Sequence, residues 1–265
     1  MAATPRPGLR ILVGAGSFVD AEAALRVVAQ LPNAFQAGLG GILVEEVDTL
    51  ASCQIPNQRI VLVSGATSLA PTQSQMRTLL KADARAFQRS LAHTANPTGA
   101  HWVFAQDRGE LVGTALRAAT GWDILVIGYR QVHKIPGKIV VLEATHHPSD
   151  AVREASNRLS KQLSADRLVF SVDQGVDRPT ANQHPEGFQF KTFDDALKAL
   201  TRTNAQAVLV DLTHGPIHNL DDLARLLEVA RCPLLVFGMS GMNAMLEHST
   251  HIPPLADMAG RNGGS

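Results

Sequence analysis

The chain has 265 residues, 24 basic and 24 acidic side chains, and a formal net charge of zero at neutral pH. Hydrophobic residues make up 45% of the chain and charged residues 18%, a composition that excludes intrinsic disorder. Neutrality gives no overall field for nucleic acids, no apolar run is long enough to cross a membrane, and the N-terminal residues lack the apolar stretch of a signal peptide. With only two cysteines, we expect a cytoplasmic protein that contacts neither nucleic acid nor membrane.

Short aliphatic runs alternate with segments of helical period along the first half. The alternation predicts strands at 10–13, 41–44, 101–105 and 123–128, and helices at 21–31, between Pro71 and Asn96, and at 110–119. The stretch 58–64 is either a short strand or an excursion on the surface. The last strand is apolar throughout, which is typical of a parallel strand covered on both faces.

The second half repeats this order of elements. It predicts strands at 138–142, 167–172, 188–190, 207–212 and 233–237, helices at 151–163, 193–200 and 220–230, and a polar loop at 175–187. Strands and helices at these spacings form βαβ units, so we expect an α/β fold with a mostly parallel sheet.

The repeated order indicates a duplication at the level of the fold. We predict a first unit at 9–136, a second and shorter unit at 137–240, and a flexible tail at 241–265. The sequence does not decide whether the two units share one sheet or stack two sheets.

Two strand motifs, WDILVIG at 122–128 and RCPLLVF at 231–237, resemble those of the universal stress protein family. The resemblance covers roughly residues 9–237 as a tandem pair. It implies two Rossmann-like units of the adenine-nucleotide-hydrolase type, whose ATP-binding members carry a G-x-x-G loop followed by G-S or G-T at a helix start. Glycines there let main-chain amides approach the phosphates.

Measured against that loop, both nucleotide sites of this chain are degenerate. Gly128 is followed by Tyr129, Arg130 and Gln131, so the second glycine is missing. In the second half, Asp211 stands where the family has its first glycine, and His214 or Gly215 where it has the second.

The family's G-S pair would fall at Leu220 and Asp221, in a helix start that reads Asn219, Leu220, Asp221, Asp222. Capping side chains and two carboxylates at a helix N-terminus oppose a triphosphate. The family's aspartate at the end of strand one would lie near Gly14 or Ala15, and near Glu143 or Ala144, and of these only Glu143 is acidic.

We therefore expect a non-catalytic regulatory or interaction protein of the universal stress protein type, without a cofactor. Its partner would be a protein that the sequence does not identify, and a homodimer is left open. The alternative is a stress-response protein that binds AMP or ATP in the first half, with or without slow hydrolysis. That alternative site is built from the following residues: Gly14, Ala15, Gly16, Ser17, Gly128 and Arg130.

No metal site is expected. Among the ten histidines, the pairs His146 and His147, His214 and His218, and His248 and His251 lie in different loops, and none of them has the spacing of a zinc motif. Neither Cys53 nor Cys232 has a neighbouring histidine or a basic cluster in sequence that would activate its thiol.

Overall fold

The computed structural model describes residues 8–31, 37–46, 59–61, 67–69, 71–130, 136–145, 149–173 and 187–241. Its strands are β1 Arg10–Ala15, β2 Gly38–Glu46, β3 Arg59–Val61, β4 Thr67–Leu69, β5 Trp102–Gly109, β6 Ile124–Ile127, β7 Lys138–Ala144, β8 Arg167–Val172, β9 Gly187–Phe190, β10 Ala205–Asp211 and β11 Leu234–Phe237. Its α-helices are α1 Phe18–Val28, α2 Gln73–Ala95, α3 Leu111–Ala118, α4 Asp150–Leu163, α5 Phe193–Leu200 and α6 Leu220–Ala230. Short 3-10 helices lie at Asn96–Thr98 and Met239–Gly241.

Nine of these strands form one sheet in the order β5-β2-β1-β6-β11-β10-β7-β8-β9. Every neighbouring pair in it is parallel except β6 and β11. The expectation of an α/β fold with a mostly parallel sheet is therefore confirmed. The question that the sequence left open is also answered, because strands from both halves share a single sheet.

The antiparallel pair β6 and β11 joins the two halves of the sheet. Leu234 lies opposite Ile127, and Val236 lies opposite Leu125. Because all the other pairs are parallel, β1, β2, β5 and β6 run in one direction and β7 to β11 run in the opposite direction. The carboxyl ends of the two sets of strands therefore lie at opposite edges of the sheet.

Helices cover both faces of the sheet. One layer, packed on Ile11, Val13 and their neighbours, contains α1, α2 and α4. The other layer, packed on Leu12 and its neighbours, contains α3, α5 and α6. Each of these two cores draws residues from both halves of the chain, so the hydrophobic interior is continuous across the β6–β11 junction. None of the helices in the described ranges has the length and apolar character needed to span a bilayer.

Strand β2 begins three residues earlier than predicted, in a glycine-rich segment. A Cβ on Gly40 would lie 2.6 Å from the indole of Trp122 and 2.7 Å from Leu12. Glycine therefore fits a strand here because bulky neighbours fill the space of a side chain, which strand propensity alone does not reveal. Strand β5 continues to Gly109, beyond its predicted end, because it pairs with β2 at the border of the sheet where exposed polar side chains are tolerated.

The stretch 58–64 contains a short strand, β3, which pairs antiparallel with β4 outside the main sheet. The sequence did not predict β4. Residues 174–186, with nearly all of the predicted polar loop, and the tail after Gly241 lie outside the described residues. The division of the chain at 136 and 137 remains a prediction.

Candidate functional site

The order of strands creates two crevices where ligands of α/β proteins usually bind. The first crevice lies between the neighbouring strands β1 and β6. Helix α1, which follows β1, packs on one face of the sheet, and helix α3, which precedes β6, packs on the other face. The second crevice lies between the neighbouring strands β7 and β10, because α4, which follows β7, and α5, which precedes β10, also pack on opposite faces. Ligands bind at such switch points, beyond the carboxyl ends of the strands. We call them the first and the second crest.

At the first crest, residues 14–17, which end β1 and lead into α1, meet the end of β6. The main-chain amide of Gly128 donates to the carbonyl of Gly14 at 2.7 Å. The amide of Arg130 donates to Asp20 Oδ1 of helix α1, also at 2.7 Å. The structure thus brings together the six residues that the sequence assigned to the alternative nucleotide site.

Two of the glycines at this crest are explained by packing. A Cβ on Gly14 would lie 2.8 Å from the Cβ of Ala115 in helix α3. A Cβ on Gly128 would overlap the carbonyl oxygen of Asp20 and lie 2.7 Å from its carbonyl carbon. Gly16 differs, because its nearest neighbour would be the carboxylate of Glu46 at 3.9 Å. The close approach of two helices therefore accounts for Gly14 and Gly128 without a ligand.

The N-terminus of helix α1 is occupied by the chain's own acceptors. Ser17 is the N-cap, and its Oγ accepts a hydrogen bond from the amide of Asp20 at 3.3 Å and donates one to Asp20 Oδ2 at 2.5 Å. The amide of Phe18 donates to Oδ2 of Asp83, in helix α2, at 3.1 Å. Two carboxylates therefore stand where the helix end would attract an anion.

Sequence analysis missed both of these carboxylates. Asp20 had a local signal, because an acidic residue three positions after a Ser N-cap is typical of a first helical turn. Asp83 had none. It belongs to another helix, 65 residues from Phe18, and only tertiary packing places it at the crest.

The second crest is closed as well. Asp211, at the end of β10, accepts a hydrogen bond from the amide of Thr213 at 2.8 Å. Gly215 fits tightly against it, since an added Cβ would overlap the carbonyl oxygen of Asp211. The gap between β7 and β10, lined by Leu142, Glu143, Ser149, Val152, Asp211 and Gly215, has no volume that a water molecule could enter.

Helix α6 begins as the sequence predicts. Asn219 is its N-cap, with Oδ1 accepting from the amide of Asp222 at 2.7 Å. Asp222 Oδ2 in turn accepts from the amide of His218 at 3.1 Å. Asp221 and Asp222 place two negative charges in the first turn. The acidic start of α6 thus lies beside the second crest, where the resemblance puts a phosphate-binding helix.

A larger space, which we call the α5–α6 groove, opens beside this crest. It has a volume of about 570 Å³ and is lined by Val172, Asp173, Thr192, Phe193, Asp194, Pro216, His218, Asp222 and Arg225. Arg225 Nη2 lies 2.5 Å from Asp194 Oδ1, and this hydrogen bond raises the pKa of the guanidinium. Hydrogen bonds from Thr192 and Lys198 lower the pKa of Asp195 at the start of α5. The described residues that line the groove thus include three carboxylates and one guanidinium.

The described residues contain no cluster of three or more His, Cys, Asp or Glu side chains able to hold a metal ion. His146, His147, His248 and His251 lie outside those residues, as does Cys53, and the expectation of no metal remains a prediction. Cys232 is buried, and the burial raises the pKa of its thiol to about 12. A thiol that stays protonated is a poor nucleophile, so Cys232 acts as a core residue.

No protein-family model matches the chain, and no curated protein matches it. Among solved structures, the chain is similar to a universal stress protein from Archaeoglobus fulgidus DSM 4304, with 10% sequence identity and a TM-score of 0.46. The match covers 86% of this chain and 95% of the Archaeoglobus chain. The chain is also similar to a protein of unknown function from Pseudomonas aeruginosa PAO1, with 10% sequence identity and a TM-score of 0.46, and the match covers 91% of this chain and 97% of that protein. A protein provisionally named a universal stress protein, from Pseudomonas aeruginosa UCBPP-PA14, matches with the same sequence identity and TM-score. This match covers 92% of this chain and 99% of that protein.

Proposed function

We propose that this chain is a non-catalytic regulatory or interaction protein of the universal stress protein type, whose nucleotide sites are closed by its own side chains. The observation that carries the proposal is the contact between the amide of Phe18 and Asp83 at the first crest. A helix N-terminus that binds a phosphate needs free amides, and here a carboxylate from another helix takes one of them.

Electrostatics supports the same conclusion. Asp20 and Asp83 both lie within hydrogen-bonding distance of main-chain amides at the first crest. A phosphate in that position would have to displace these carboxylates and would then remain close to their charges. Like charges a few ångströms apart repel by about 1 kcal/mol in water and by more where solvent is excluded.

The second crest supports it independently. Its gap admits no water, and helix α6 presents Asp221 and Asp222 in its first turn. Fixed negative charge at a helix N-terminus cancels the attraction of the helix dipole for an anion. A nucleotide would therefore find neither space nor a favourable field at the second crest.

The alternative function, AMP or ATP binding in the first half, is favoured by one observation. Gly14, Gly16, Ser17, Gly128 and Arg130 converge at a single switch point, and the Arg130 side chain is near the surface. Under this alternative, Arg130 would supply positive charge to a phosphate, and Gly16 would let the main chain approach it.

Isothermal titration calorimetry with ATP and with AMP, each in the presence of Mg²⁺, separates the two functions. We expect no saturable heat for the full chain with either nucleotide at millimolar concentration. Sub-micromolar binding of either nucleotide would overturn the proposal and establish the alternative. Asp83→Asn is the informative variant, because it removes a charge from the first crest and keeps the shape of the side chain.

Inorganic phosphate should bind more tightly to the Asp83→Asn variant than to the parent chain, because the variant lacks one negative charge at the first crest. Asp166→Asn, which removes an exposed carboxylate before β8, should leave phosphate binding unchanged. Equal phosphate affinity for Asp83→Asn and the parent would show that Asp83 does not close the crest.

A further inference from the structure

We propose that the α5–α6 groove and the adjoining edge of β9 bind an extended, basic segment of a partner protein. This inference rests on the proposed interaction role, and it names the surface and the chemistry of the partner.

The edge of the sheet at β9 is open in the part of the chain that the structure describes. Gly187–Phe190 pairs with β8 on one side, and no described strand lies on its other side. Phe188 is 54% exposed, although its ring makes an edge-to-face contact with Phe170 at 5.9 Å. An open strand edge is a template for the addition of another strand, and a rigid exposed aromatic ring supplies apolar contact area for it.

This edge is continuous with the groove. Phe190 lies opposite Val172 in the parallel register of β9 with β8, and Val172 lines the groove. Phe188 is two residues before Phe190 and so lies on the same face of the sheet. An extended chain that runs along β9 would therefore carry alternate side chains over Phe188 and toward the groove.

The charge of the groove selects a basic partner. Among the described residues that line it, three are aspartates, Asp173, Asp194 and Asp222, and one is a cation, Arg225, when histidine is counted as neutral. Three carboxylates against one guanidinium give these described lining residues a net negative charge. A Lys or Arg side chain complements that charge, and the stem of either side chain would pack against Phe193 and Pro216.

The probe is a short fluorescein-labelled peptide in which Lys alternates with Val and Thr, measured by fluorescence polarisation against the full chain. A second peptide carries Glu in place of Lys. We expect the basic peptide to bind at least about tenfold more tightly than the acidic one, and its binding to weaken as salt is raised. Equal affinity for the two peptides, or no binding of the basic one, overturns the proposal.

Two matched pairs of variants locate the site. Phe188→Ser and Asp173→Asn should each lower the affinity for the basic peptide by about fivefold or more. Leu79→Ser, which changes a side chain of similar exposure on helix α2, and Asp166→Asn, at the amino end of β8, should stay within about twofold of the parent. If Phe188→Ser loses its fold by circular dichroism, Asp173→Asn alone decides, because it changes a surface charge.

Loss of affinity in the control variants as large as in Phe188→Ser and Asp173→Asn overturns the proposal. So does a dimer, measured by analytical ultracentrifugation, that forms through the β9 edge and that the basic peptide does not dissociate. The nucleotide titration is independent of these results. Peptide binding can therefore fail while the non-catalytic proposal stands, and nucleotide binding can overturn that proposal while the peptide still binds.

Discussion

Gly128 and Gly16 lie at the same crest but face different surroundings. Gly128 lies against the main chain of helix α1, where a Cβ would be 2.7 Å from the carbonyl carbon of Asp20. Gly16 would place a Cβ no closer than 3.9 Å to its nearest neighbour. The sequence assigns both glycines to the alternative nucleotide site, and only their neighbours distinguish a packing role from a role in binding.

Substituting each glycine by alanine tests this difference. Gly128→Ala forces α1 away from the sheet, so we expect it to lower the free energy of unfolding by about 1–3 kcal/mol in urea denaturation. Gly16→Ala is the control and should change it by less than about 1 kcal/mol. If the two variants were equally stable, the close approach of α1 would not be what requires glycine at 128. Because a side chain at 128 disturbs the packing of α1, loss of nucleotide binding in a Gly128 variant would not show that Gly128 lines a nucleotide pocket.

At the scale of elements, each helix begins with a side chain that accepts hydrogen bonds from its first turn. These side chains belong to Ser17, Thr72, Glu110, Ser149, Thr192 and Asn219, in the order α1 to α6. Glu110 accepts from two amides at once, at 2.8 and 2.6 Å. Such caps stabilise helices by about 1 kcal/mol each, and here they also occupy amides beside the sheet edges where an anion would bind.

Helix α5 gives a pH-dependent test of this capping. Hydrogen bonds from Thr192 and Lys198 hold the pKa of Asp195 below its ordinary value of 3.8. A folded pKa below the unfolded one means that the ionised carboxylate stabilises the fold above about pH 4, and that this stability is lost as pH falls through the lowered pKa. Asp195→Asn should therefore lower the stability of the protein at pH 7, and should lower it less at pH 3, as measured by thermal unfolding at each pH. A cost that does not change with pH would contradict this assignment.

At the scale of the whole molecule, the antiparallel junction of β6 and β11 makes one body of two similar halves. All four residues of β6 and of β11 are buried, and α3 of the first half contacts α6 of the second. Separating the halves would expose both strands and cut through both hydrophobic cores. From this continuity we expect the chain to unfold as a single cooperative unit.

The tryptophans provide the measurement. Both of them, Trp102 and Trp122, lie in the first half, so their fluorescence follows that half, whereas far-ultraviolet circular dichroism follows the whole chain. We expect the two signals to change together in urea, with one midpoint and one slope. Two separated transitions would show that the halves unfold independently in spite of the shared sheet.

The sequence by itself determined the order and type of nearly all the elements, since apolar runs and helical periodicity are local properties of the chain. It also predicted the acidic start of α6, because Asn219, Asp221 and Asp222 are neighbours in sequence. Only the tertiary structure decided that the halves share one sheet with opposed strand directions, and that Asp83 meets Phe18. Those facts depend on contacts between residues far apart in sequence, where loop closure and packing choose the partner and no local pattern records the choice.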